Sequence, residues 1–72
     1  MHAELTERVH ALLELPSPEA AVEVLRAADR ASDDARRLAI LKLDDHLRAR
    51  PETRDRDVVA TLIALRRVGL SS

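Results

Sequence analysis

None of the 72 residues is Phe, Tyr or Trp, and this absence limits what the chain can fold into more than any residue it contains. Aromatic rings let a small domain bury much area per residue. They also supply the platforms on which single-strand nucleic-acid binders stack bases and the anchors of many tight interfaces. A chain without them has to build its core from aliphatic side chains alone. A chain this short buries only about 60% of its unfolded surface, so disulfides, a metal or a partner subunit often supplement the core. Cysteine is absent, which excludes disulfides and thiolate metal sites.

The aliphatic set is itself informative: 12 Ala, 12 Leu, six Val, two Ile and one Met. Leu and Ala are strong helix formers, and one Gly with three Pro leaves few interruptions. The expected fold class is all-α, a single domain over residues 1–72. Its architecture is a four-helix bundle made of two antiparallel helical hairpins. The opening Met1-His2-Ala3-Glu4 has no basic start and no apolar h-region, so no signal peptide is expected. The longest strictly apolar runs, Leu38 to Leu41 and Leu62 to Leu65, are too short for a membrane span. The expectation is a soluble, cytoplasmic protein with no membrane partner.

Periodicity and capping residues place the helices. Leu5, Val9, Leu12 and Leu13 form one stripe of a first helix over about 3–15, with Glu4 and Arg8 paired outside. Pro16-Ser17-Pro18 ends it. Ser17 suits the N-cap of a second helix over about 18–31, with Pro18 in its first turn and Ala21, Val24, Leu25 and Ala28 facing inward. Ser32-Asp33-Asp34 reads as the cap and acidic first turn of a third helix over about 33–50. Pro51 ends that helix, Thr53 is the expected cap of a fourth over about 54–68, and Gly69 suits a left-handed position beyond it, folding Leu70 back on Leu65. The two helix-proline-helix segments repeat at an offset of about 35 residues without matching side chains, and this predicts two hairpins rather than a true repeat.

Helices three and four carry the functional expectation. From Val58 to Leu65 there is no charge, and Leu65, Val58, Leu62, Val59 and Ile63 span an arc of about 160°. In helix three, Ala39, Leu43, Leu47 and Ile40 cover one side while Leu38 and Leu41 cover another. Helices apolar on several sides are normally buried on several sides, and so short a chain offers little to bury them. The expected function is therefore a small interaction module, an adaptor, docking domain or regulator acting by contact. Its expected partner is itself, as a homodimer, or a larger protein. Val58, Val59, Leu62, Ile63 and Leu65 share core and interface duty in this reading. Ile40 or Leu41 completes the surface, and Arg50, Arg54 and Arg56 form its rim.

Other chemistry is thinly represented. Asp44-Asp45-His46 points in different directions along a helix, and His10 with Glu14 makes at most half a metal site, while His2 lies near a terminus. No glycine loop presents backbone N–H groups to a phosphate or oxyanion. No enzyme activity, no metal and no cofactor are expected. The alternative reading is a DNA-binding helix-turn-helix regulator, because Arg48, Arg50, Arg54 and Arg56 cluster near the third joint with Arg36-Arg37 and Arg66-Arg67 as further pairs. Against it, Asp33–Arg37, Asp44–Arg48 and Glu52–Arg56 are spaced as helical ion pairs, and Asp55 and Asp57 alternate with the arginines and repel phosphate. The charge is lopsided, −4 over residues 1–36 and +3 over 37–72, which also permits head-to-tail self-contact.

Overall fold

Four helices account for the architecture seen in the computed structural model, which describes residues 3–50 and 55–70. They are α1 (Ala3–Glu14), α2 (Pro18–Asp29), α3 (Asp33–Ala49) and α4 (Arg56–Leu70). Three of them, α2, α3 and α4, start where the sequence supplies a hydrogen-bond acceptor for the unpaired N–H groups of a first turn. Ser17 takes the backbone N–H of Ala20 at 3.0 Å, and Ser32 takes that of Ala35 at 3.2 Å. At α4 the acceptor is the carboxylate of Asp55, which receives the Asp57 N–H at 2.8 Å. The helix therefore begins two residues later than its expected start, and the expected cap Thr53 lies outside the described residues. Aspartate is at least as good a cap as threonine, and Asp55 directly precedes the first helical residue.

The other end of α4 also differs from expectation. The helix runs through Gly69 to Leu70, and no described residue, glycine included, has a positive φ. The left-handed cap predicted at Gly69 is thus not formed. Glycine permits that conformation without compelling it.

The helices pack around a square. α1 lies beside α2 and α3, and α4 lies beside α2 and α3, so the pairs α1/α4 and α2/α3 sit across the diagonals. Glu4 at the start of α1 pairs with Arg30 just beyond α2, at 3.1 Å, as an antiparallel hairpin requires. This pairing replaces the expected Glu4–Arg8 pair. The chain then crosses the α2/α3 diagonal with only Arg30, Ala31 and Ser32 between the two helices. Bundle neighbours 8–10 Å apart put a diagonal at about 11–14 Å, close to the reach of so short a joint. The side chains beside the joint meet that limit: Ala27, Ala28, Ala35 and Ala39 are all buried, and none is larger than a methyl group.

Larger residues fill the remaining interior. Leu5, Val9 and Leu12 come from α1, Val24 from α2, Leu43 and Leu47 from α3, and Val58, Leu62 and Leu65 from α4. Thr61 is the one buried polar side chain among the described residues, and its hydroxyl donates to the Asp57 carbonyl one turn back, at 2.7 Å. It leaves no buried polar atom unsatisfied.

α2 ends without glycine, and a side chain helps to close it. Arg36, on the first turns of α3, donates through Nη1 to the carbonyls of Ala28 at 2.9 Å and Ala31 at 3.1 Å. Its Nη2 pairs with Asp33. The backbone N–H groups of Arg30 and Ala31 reach the carbonyls of Ala27 and Ala28 at 3.2 Å, and the guanidinium adds to them and ties the end of α2 to the start of α3.

Candidate contact surface

With one stripe of each helix spent on the core, the remaining large apolar side chains show which faces lack a partner. Leu38 and Leu41 of α3 are 57% and 56% exposed, and Ile63 of α4 is 50% exposed. Leu15, Val22 and Val68 are also exposed. Leu15 stands alone at the end of α1. Val22 and Val68 border an open groove of about 380 Å³ between α2 and α4, floored by Ala28, Ala64 and Leu65 and edged by Arg26 and Asp29.

The α3 face is the most concentrated of these. At 3.6 residues per turn Leu38 and Leu41 lie about 60° apart, and Leu41 lies about 160° from the core residue Leu43. α3 therefore packs on α1 and α4 with one side and shows two leucines on the opposite side. Ile63 stands three residues before Arg66, whose Nη2 reaches Asp44 of α3 at 3.5 Å, so its face of α4 borders α3. Half-buried Ile40 and Val59 pack against the core from the flanks of their helices.

The ten residues expected at an interface are thereby divided. Leu41 and Ile63 are exposed, Ile40 and Val59 are half-buried, and Arg50 and Arg56 are exposed beside the third joint. Arg54 lies outside the described residues. Val58, Leu62 and Leu65 are core residues, with at most 5% of their surface exposed, and have no area left for a partner in this fold. Their interface share is corrected: the bundle itself covers these three side chains, whereas Ile63 and Val68 of the same helix stay exposed. Leu38 was legible as part of a second apolar side and belongs with Leu41 in the surface set.

Charges surround the two leucines. Asp34, Arg37, Asp45 and Arg48 lie on the same outward side of α3, all exposed. Arg48 Nε lies 3.1 Å from Asp44 as the i,i+4 spacing predicts. The expected Asp33–Arg37 pair is not formed, because Arg36 takes Asp33. Among the described residues, Asp34, Arg37 and Asp45 make no ion pair.

The weak metal motifs remain separate. Asp44 faces Arg48 and Arg66, and His10 Nε2 lies 3.5 Å from Lys42 Nζ, beside a cation. His2 lies outside the described residues. No group of three His, Asp or Glu converges among the described residues, and no described helix is long and apolar enough to cross a membrane. No protein-family model matches the chain, and neither a curated protein nor a solved structure matches it.

Proposed function

We propose that this chain is a self-associating contact module, an assembly or docking element that works through the outer face of α3 and the adjoining edge of α4. The observation that carries this reading is the pair Leu38 and Leu41, each more than half exposed and side by side on a helix whose opposite face already forms core. Single exposed leucines are ordinary on protein surfaces. Two adjacent ones, flanked by a half-exposed isoleucine on the next helix and rimmed by charge, have the apolar-centre, polar-rim plan of a contact site. Of the arginine pairs that suggested a nucleic-acid contact, Arg36 and Arg66 are drawn to carbonyls and carboxylates, which supports this reading over that one.

The test is mass in solution against concentration. Sedimentation equilibrium at micromolar concentration is expected to give a dimer or larger species. The double substitution Leu38→Ser with Leu41→Ser is expected to return a monomer of unchanged helical content, because neither side chain belongs to the core. A native chain that stays monomeric up to millimolar concentration contradicts the proposal.

A further inference from the structure

Resting on that contact-module reading, we infer that the occupant of the α3 face is a second copy of this chain, lying antiparallel across α3 with the two-fold axis beside Leu41. The charge pattern carries the inference. Asp34, Leu38, Leu41, Asp45 and Arg48 follow one another at spacings of four, three, four and three, the repeat that keeps side chains along one helix face. Asp34 stands seven residues before Leu41 and Arg48 seven after; Arg37 stands four before and Asp45 four after.

A two-fold axis perpendicular to the helix exchanges these positions. It sets Asp34 opposite Arg48 of the second copy and Arg37 opposite Asp45 of the second copy, and the reverse pairs follow by symmetry. The two kinds of pair fall about 10 Å and 6 Å along the helix from the axis, within the span of α3. All carry opposite charge. Leu41 meets its own symmetry mate at the centre, with Leu38 beside it.

Other arrangements of the same face repel. A parallel dimer puts Asp34 level with Asp34 and Arg37 level with Arg37. Sliding the antiparallel pair by three residues, so that Leu38 meets Leu41 of the second copy, sets Asp34 against Asp45 and Arg37 against Lys42. Like charges facing one another oppose both, so the rim selects a register as well as surrounding the leucines. Three of the four charges, Asp34, Arg37 and Asp45, make no ion pair with other described residues, while Arg48 holds Asp44 through Nε.

Charge exchange at 37 and 45 tests the register, because both residues are exposed and outside the core. Arg37→Glu and Asp45→Arg are each expected to weaken self-association by at least about tenfold, since each turns two attractive pairs of the dimer into repulsive ones. Mixing the two single variants is expected to restore near-native affinity as a heterodimer, and combining both changes in one chain to restore the homodimer. A native dimer that ignores both single changes, or a mixture no tighter than either variant alone, overturns this register while leaving the contact module standing. A native chain that is monomeric by sedimentation overturns both.

Discussion

Replacing Leu43 by alanine is expected to cost the fold about 3 kcal/mol, while the same change at Leu41 costs less than about 0.5 kcal/mol. The two leucines are two positions apart on one helix. Leu43 has no exposed surface and faces the centre of the bundle, whereas Leu41 is more than half exposed. Truncating Leu43 removes the transfer free energy of its side chain and leaves a cavity. The core has no aromatic ring that could tilt into the space, and the alanines near the α2–α3 joint have no rotamers with which to fill it. A domain of this length has a total stability of roughly 4–11 kcal/mol, so the loss is a large fraction of the whole. Urea titration of Leu43→Ala in the Leu38→Ser/Leu41→Ser background keeps association out of the measurement. The Leu41 change is read in the native chain at a concentration low enough to be monomeric. Equal losses at 41 and 43 contradict this division of α3 into an inner and an outer face.

Arg36 is the second residue whose loss is expected to be felt strongly. Arg36→Gln is expected to destabilise the fold by about 2 kcal/mol, and Arg36→Lys to recover little of it. The guanidinium donates to the Ala28 carbonyl at the end of α2 and the Ala31 carbonyl in the joint, and meets Asp33 at the start of α3, so one planar group joins three acceptors. Lysine carries a single ammonium that cannot span the same acceptors. The side chain is mostly buried, with 19% of its surface exposed, so the hydrogen bonds compete less with water than at an exposed pair. Arg37→Gln, one residue on, supplies the control and is expected to leave the urea midpoint of the monomer unchanged. If Arg36→Gln is also silent, the joint is held by alanine packing and the Ser32 cap alone.

These two residues also show what a reader of the sequence could and could not recover. The inner stripe of α3 was legible because Ala39, Leu43 and Leu47 recur at helical spacing, and Ser17 and Ser32 marked helix starts through chemistry local to a few residues. Arg36 was not legible as a cap. Its partners lie eight residues back on α2 and five residues back in the joint, and the spacing Asp33–Arg37 offered an equally good local pair. The available signal was indirect: with no glycine near residue 30, a side-chain donor could add to the backbone N–H groups that close α2. Asp55 caps α4 where Thr53 was the expected cap, and its place among the alternating charges of residues 54–57 masked that role in the sequence. Gly69 was over-read, because a glycine that permits a left-handed turn also completes a helix.

The contact face was half legible for a similar reason. Apolarity around α4 suggested a surplus of surface, but Ala60 and Ala64 contribute to the pattern without demanding much burial. Val58, Leu62 and Leu65 are satisfied within the bundle. On α3 the outer apolar residues are leucines, and more than half of each stays exposed among the described residues. The meaning of Asp34, Arg37, Asp45 and Arg48 emerged only once Arg36 was seen to occupy Asp33, leaving Arg37 unpaired at a symmetric distance from Leu41.

Because the chain has no cysteine, one introduced thiol reports on one place. Disulfide formation by Leu41→Cys under mild oxidation measures most directly whether a second copy covers α3 about this axis. Two cysteines on a two-fold axis between packed helices approach within the roughly 4.4–6.8 Å Cα separation that a disulfide requires. The account predicts rapid, near-complete covalent dimer from Leu41→Cys and little from Leu15→Cys or Val22→Cys at the same concentration. Equal and slow cross-linking at all three positions contradicts it.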